Sequence, residues 1–447
     1  MFIISIYNRT FVCYNKIRTN VLNGDDMEKV IFHVDVNSAF LSWEAVYRIK
    51  CLGETEDLRE IPSAVCGDIK MRHGIILAKS IPAGKAGVKT AETISEAMNK
   101  CPNLKLVQPQ YSLYETSSKA LLELLREFAP VVEQYSIDEA YCDMTGTSSL
   151  WGSPVVAANL IKDKIHKELG FTVNIGVSNN KLLAKMASDF RKPNLVHTLF
   201  PSEIKRKMWP LPVGELFFCG RATEKKLRSL GITTIGDLAR TDVHLLKSIL
   251  KKHGEVLWAF ANGIALSLVQ GDAPDNKGYG NSMTVPFDVC DSSTAHMVLL
   301  SLCETVGMRL RKDDVKISVI AVSIKNFALQ TTRHQKTLTV ATNQTNELFQ
   351  CASRIFDELW DGYTPIRQLG VHTGRVVSAD SERQLDLFTM DTYEKYEKLD
   401  NAIDQIREKY GEESIFRATY INGPIRPLNG GISKEKFKAD GEEVYYE

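Results

Sequence analysis

The sequence predicts an α+β protein of several domains, and three observations carry that prediction. Apolar residues crowd into short β-rich runs such as "KVIFHVDV", whereas in "SSKALLELLREFAP" they recur at helical spacing. The two patterns interleave along the chain, with no convincing internal repeat or low-complexity tract. Finally, 447 residues at 44% hydrophobic and 25% charged can bury sizeable cores, which suits about two to four domains.

Taken in order, residues 1–26 hold one short apolar patch and then polar residues, so they form neither a secretory signal nor a membrane span. Because "MEKVIFHVD" leads from Met27 directly into a strand, the preceding segment reads as a loosely packed extension or a start-codon artefact. Residues 30–36 form that strand and pass into a helix near Asn37 and Ser38, which leaves Asp35 at a strand end. Residues 74–79 make a second strand, followed by a loop with Pro82 and two glycines. The helix carrying Leu121, Leu122, Leu124, Leu125 and Phe128 is stopped by Pro130. Strands over 131–137 and 140–144 then meet at Asp138 and Glu139. A helix over 154–169, a strand over 171–177 and a helix capped by Ser178 or Asn179 complete one α+β unit.

From 194 to 270 the pattern turns helical. Within it "LFFCGRATEKKLRSLGITTIGDLAR" reads as two amphipathic helices joined by "LGITTIG", a hairpin that offers backbone amides to phosphates without reading sequence. A polar linker, "GDAPDNKGYGNS", leads to residues of about 279–378, where strands ("VKISVIAVSIKNF", "RHQKTLTV") mix with helices ("AHMVLLSLCETVGMRLR", "NELFQCASRIFDELWDG"). A charged helix, "TYEKYEKLDNAIDQIREKYG", precedes a Gly/Pro-containing end expected to be mobile.

Net charge is zero, but its distribution is uneven. Residues 181–270 carry 15 Lys/Arg against 7 Asp/Glu, while 380–417 carry 11 acids against 6 bases. The basic stretch is either a solvated helix face or a surface that tracks phosphates. Nine scattered cysteines without a C-x-x-C pair argue for free thiols in a reducing cytoplasm and against a zinc site.

Chemistry centres on "QYSIDEAYCDM". In a regular strand the neighbours Asp138 and Glu139 point to opposite faces, so either one is a solvated surface acid or a turn or bulge brings both into one site. With Asp35 they make three carboxylates at strand ends of one unit. Oxygen ligands without His or Cys suit Mg²⁺. Two such ions, Asp35 and Asp138 bridging both and Glu139 on one, would activate a 3′-hydroxyl and neutralise a leaving pyrophosphate. The backbone carbonyl of Val36 is a further candidate ligand.

These pieces resemble the Y-family translesion DNA polymerases, the group that includes bacterial DNA polymerase IV and the catalytic subunit of polymerase V. The matching segments are "FHVDVNSAF", "YSIDEAY", "NIGVSNNKLLAKMASDFRKPN", "FCGRATEKKLRSLGITTIGDL" and "IRQLGVHTG", in the family's order over residues 27–373. The resemblance implies a right-hand architecture: palm (27–37 and 102–192), small fingers (38–101), helical thumb with a helix-hairpin-helix (193–271) and an α/β little finger (279–378). It implies low-fidelity, template-directed synthesis in translesion repair and the SOS response, with two Mg²⁺ ions, primer-template DNA and deoxynucleoside triphosphates, and no membrane. It makes Asp35, Asp138 and Glu139 the metal-binding catalytic residues. Taken alone Phe40 reads as a core aromatic; the motif makes it the steric gate against a 2′-hydroxyl. Lys185 becomes a triphosphate ligand, and Lys181, one turn earlier, is left between that role and plain solvation.

The chain also departs from the pattern. In "SIPAGKAGV", Ile81 and Gly84 stand where polymerase IV has Tyr and Arg, which clasp the triphosphate, so Lys85 is expected to substitute in part as a point charge. Asn37 replaces a frequent Asp and is expected to leave the metals untouched. In "ERQLDLF", Gln384, Leu385, Leu387 and Phe388 match the peptide that binds the bacterial sliding clamp; the other reading is the start of the final helix. Two other functions share these features. A catalytically silent adaptor on the same fold would keep the DNA and clamp contacts, and a nucleotide cyclase would explain the acids but neither the basic hairpin nor "QLDLF".

Overall fold

A computed structural model of the chain describes residues 29–67, 74–271, 275–381, 390–421 and 423–425. The segment 1–26 and the motif at 384–388 lie outside the described residues, as does the Gly/Pro-containing end beyond 425. Contacts divide the chain into two units, Met1–Cys66 with Ile75–Ala273 chiefly in one and Pro274–Lys438 in the other.

The first unit carries strands β1 (Ile31–Val36), β2 (Ser63–Cys66), β3 (Ile76–Lys79), β4 (Lys105–Val107), β5 (Val131–Gln134), β6 (Glu139–Asp143), β7 (Val173–Ser178) and β8 (Val196–Thr198). Five of them form a sheet in the order β5-β6-β1-β7-β8 with β1 at the centre. The pleat sorts β1 into two faces. Phe32, Val34 and Val36 enter a core shared with Leu121 and Leu125 of helix Tyr111–Arg126 and with Ile161 and Ile165 of helix Pro154–Leu169. Ile31, His33 and Asp35 take the other face, where Ile31 packs with Tyr141 and Ala184. Helix Lys181–Ser188 covers that face, and it lies so close to β7 that a Cβ at Gly176 would fall 1.9 Å from the Ala184 carbonyl oxygen.

Some boundaries differ from those expected. Ser178 still belongs to β7, its hydroxyl donating to the Leu199 carbonyl, so the cap of helix Lys181–Ser188 is Asn180, whose side chain accepts the Leu183 N–H at 2.9 Å. After β3 the expected loop is a short helix, Ile81–Lys85. Ser80 caps it by accepting the Ala83 N–H, and Pro82 sits in the first turn, where its missing N–H is not needed. A small sheet, β3-β2-β4, packs with this helix and with helix Ile94–Lys100 around Ala64, Ile76, Ala83 and Ala97. The basic hairpin is present as helices Arg221–Ser229 and Ile235–Arg240, with Gly231 at φ 78° in the turn.

The second unit is a four-stranded sheet, β11-β10-β12-β9, from β9 (Gly280–Val289), β10 (Val315–Asn326), β11 (Thr331–Thr342) and β12 (Ile366–Ser378). Helices Ser292–Lys312 and Thr345–Leu359 bury Leu299, Val306 and Phe356 against Ile320, Val322 and Leu369. Strand β9 begins inside the stretch read as linker, because Gly280, Asn281 and Ser282 pair with His372, Val371 and Gly370 of β12. Helix Met390–Tyr410 joins this unit through buried charges: Arg407 bonds Glu304 at 2.9 Å and Arg311 bonds Asp404 at 2.6 Å. Among the described residues no helix is long and apolar enough to cross a membrane, and no disulfide joins the eight cysteines.

Candidate active site

Glu139 opens β6 directly opposite Asp35 on β1, so both side chains leave the sheet on one face. Asp138 stands just before the strand. There the Glu139 carbonyl accepts both the Tyr135 N–H (2.9 Å) and the Ser136 N–H (3.1 Å), two residues opposing one, which is a bulge. That bulge lies at Tyr135 and Ser136, in the turn between β5 and β6 that also carries Asp138, so Asp138 stands outside the regular strand. Asp35, Asp138 and Glu139 line a single cavity of about 400 Å³ together with Val36, Phe40 and Lys185. The backbone adjusts at Val36 as well. Its N–H donates to the Asp138 carbonyl at 3.1 Å, but the Asp138 N–H turns to Ser136 Oγ instead of returning the ladder bond.

Two lysines stand among the acids. Lys185 Nζ bonds Glu139 at 2.5 Å and Asp35 at 3.3 Å, and Lys192 Nζ bonds Asp35 at 2.9 Å; both also reach Asp189. Burial alone would lower the Lys185 ammonium, but the charges of Asp35, Glu139 and Asp189 hold it above the usual lysine range, and Lys192 is raised in the same way by Asp35 and Asp189. Burial pushes Glu139 up to about 7 against the pull of Lys185, and the neighbouring Asp35 charge adds to the rise. Asp138 accepts the Ser136 hydroxyl at 2.6 Å. In this arrangement no three His, Cys, Asp or Glu side chains among the described residues converge on one ion position.

Phe40 lies in the first turn of helix Ala39–Lys50 and stacks on Tyr114, centroids 4.4 Å apart and planes 10° off parallel. Tyr114 in turn donates to the buried Glu44 at 2.8 Å, whose own carboxyl is held up by burial. The aromatic wall of the cavity is therefore backed by a fixed partner. Asn37 is absorbed structurally: its amide donates to Asn174 at 3.2 Å and its oxygen accepts the Asn194 N–H at 2.9 Å. Lys181 pairs with Glu133 and sits over the Tyr141 ring, away from the cavity lining. Lys85 lines a second, adjoining space of about 340 Å³ with Ser38, Lys79, Ser80, Ile81 and Gly84, not the carboxylate cavity.

Three charged residues were missed by sequence reasoning: Lys79, Asp189 and Lys192. Asp189 and Lys192 lie in "SDFRKPN", inside a matched segment, so their spacing of four and seven residues after Lys185 was the available signal. Lys79 carried none, since a lysine closing a strand is ordinary.

Comparison with known proteins adds the following. The model of the impB/mucB/samB family matches residues 34–189, and that of the impB/mucB/samB family C-terminal domain matches 276–387. The chain is 45% identical to DNA polymerase IV of Clostridium acetobutylicum over 88% of its own length and 99% of the relative. It is 39% identical to DNA polymerase IV of Acetivibrio thermocellus, over 88% and 98%, and 36% identical to DNA polymerase IV 1 of Bacillus subtilis, over 92% and 98%. A solved Y-family DNA polymerase chimera superposes with a TM-score of 0.66 at 23% identity, covering 78% of this chain and 99% of its own, which speaks to the fold.

Proposed function

Since this chain belongs to the impB/mucB/samB family, the Y-family DNA polymerases, we propose that Asp35, Asp138, Glu139 and the Val36 carbonyl hold two Mg²⁺ ions for nucleotidyl transfer. The protein is a DNA-directed DNA polymerase of the low-fidelity translesion class, with the palm, fingers, thumb and little-finger architecture. Nothing supports the silent adaptor.

The single observation that carries the site is the convergence of all three carboxylates on one cavity through a registered strand pair and a bulge. The donor set fits a hard divalent cation, because the lining offers carboxylates and a carbonyl freed from the ladder, with no His or Cys. Bound there, Mg²⁺ supplies activation of the primer 3′-hydroxyl and charge neutralisation at the leaving pyrophosphate. The chain's own residues position the reactants. Asp35 and Glu139 leave one face of the sheet in fixed register, so the reacting ends are oriented without rearrangement of the backbone. Lys185 brings a positive charge to the cavity wall beside Asp35 and Glu139, where the triphosphate would lie. Phe40, stacked on Tyr114, is the residue that would lie under the incoming sugar and exclude a 2′-hydroxyl.

The domain limits are those of the sequence: palm 27–37 and 102–192, fingers 38–101, thumb 193–271 and little finger 279–378. Gln384, Leu385, Leu387 and Phe388 bind the sliding clamp, and the protein acts in the cytoplasm within the SOS response. Primer extension with purified protein, Mg²⁺ and four deoxynucleotides, on undamaged and abasic templates, tests this reading. Extension on both supports it. A protein that binds primer-template and clamp but extends neither template is an adaptor after all.

A further inference from the structure

The lysines in the wall of the carboxylate cavity are not equivalent. Lys185 and Lys192 are tied to Asp35, Glu139 and Asp189. Lys79 also lines that cavity, yet among the described residues its ammonium makes no ion pair or hydrogen bond. It closes β3, half-buried, and it alone of the lysines lines both the carboxylate cavity and the adjoining space bounded by Ser80, Ile81, Gly84 and Lys85.

Gly84 explains how the side chain fits. A Cβ built at Gly84 would meet Lys79 Nζ at 3.1 Å, tighter than ordinary contact, and would meet Lys79 Cε at 3.8 Å. The ammonium therefore occupies the volume into which a side chain at 84 would grow. A side chain at 84 would have to displace the lysine end lying across it. A partly desolvated cation without a counter-charge, facing a cavity whose acids already hold two other lysines, is arranged for an anion that arrives from outside.

We propose that Lys79 is a nucleotide-binding residue that contacts the triphosphate of the incoming deoxynucleotide, in the space left open by Gly84. The inference rests on the polymerase reading above and names a ligand residue that neither the motifs nor the spacing assigned. It also divides the work between the two lysines of this loop: Lys79 faces the reaction cavity, whereas Lys85, exposed and outside that lining, contributes less.

The test is steady-state single-nucleotide incorporation by the full chain, comparing wild type with Lys79→Ala, Lys79→Arg and Lys85→Ala, with primer-template affinity and thermal unfolding measured beside it. A contact made equally in ground and transition states raises KM and spares kcat. Lys79→Ala is expected to raise the nucleotide KM by about tenfold or more, with kcat, DNA affinity and unfolding little changed. Lys79→Arg keeps the charge and recovers most of the loss, and Lys85→Ala shifts KM less than Lys79→Ala. If wild type extends primers and Lys79→Ala has an unaltered KM, Lys79 is a bystander and the polymerase reading stands. Should Lys79→Ala unfold early, Lys79→Arg decides: a KM rise as large as that of alanine in a stable protein would also overturn the role. Failure of wild type itself to extend removes both.

Discussion

Phe40 shows how a single residue acquires meaning from its neighbours. Alone it reads as a core aromatic, and its stacking on Tyr114, itself anchored to Glu44, makes it a fixed lining of the carboxylate cavity. Phe40→Ala is expected to lower discrimination against ribonucleotides by about 10–100-fold, as read from paired kcat/KM values for ribo- and deoxynucleotides, while leaving deoxynucleotide insertion largely intact. Unchanged discrimination would take the gate away from Phe40. Ser136 plays a quieter part: its hydroxyl donates to the Asp138 carboxylate and accepts the Asp138 N–H, which fixes that acid at the bulge. The Ser136→Ala variant should lose about tenfold in kcat/KM with normal DNA affinity. The acids, Phe40 and Lys185 were legible because motif spacing carries them. Lys79 was not, because what sets it apart is the partner it lacks in space, and no one-dimensional spacing records that; for Lys192 the spacing after Lys185 was there to be read.

At the scale of elements, the closest approach in the site is between β7 and helix Lys181–Ser188. Gly176 stands opposite His33 in the sheet, and any Cβ there would strike the Ala184 carbonyl. Gly176→Ala is expected to destabilise the protein by about 1–3 kcal/mol in urea unfolding, and to displace the helix that carries Lys185, so activity falls further than stability. Full activity in that variant would show that the helix can move without consequence. Most elements of this unit were legible: β1 and the helices over 111–126 and 154–169 announce themselves by period and by Pro130 or Pro154. The short helix Ile81–Lys85 was hidden because Pro82 and Gly84 signal a loop, although Pro in a first turn is equally at home in a helix. Strand β9 was hidden for another reason. Its polar start, Gly280 to Ser282, imitates a linker, and only pairing with β12 makes it a strand.

For the whole molecule, zero net charge conceals a basic segment over 181–270 and an acidic one over 380–417. The acidic segment is partly consumed inside the second unit, where Asp400 and Asp404 hold Arg311. Deleting 384–388 is therefore expected to abolish clamp-stimulated synthesis, a gain of roughly 10²–10⁴ through effective concentration, while basal extension and the unfolding midpoint stay the same. Loss of basal extension would give the motif a structural role instead. The fold class and the order of the parts were legible because the matched segments run through the chain in sequence; the convergence of β1 and β6 on one cavity needed the strand register and the bulge. That convergence is the central claim, and single-nucleotide incorporation across a Mg²⁺ titration tests it most directly, with wild type and Asp138→Ala/Glu139→Ala compared at equal primer-template occupancy. Wild type should be inactive without the ion and saturate with it, and the double variant should bind DNA normally yet lose incorporation by roughly 10²–10³-fold or more at every Mg²⁺ concentration. Near-normal incorporation by the double variant, or full activity of wild type with the metal chelated, would contradict the assignment of these carboxylates.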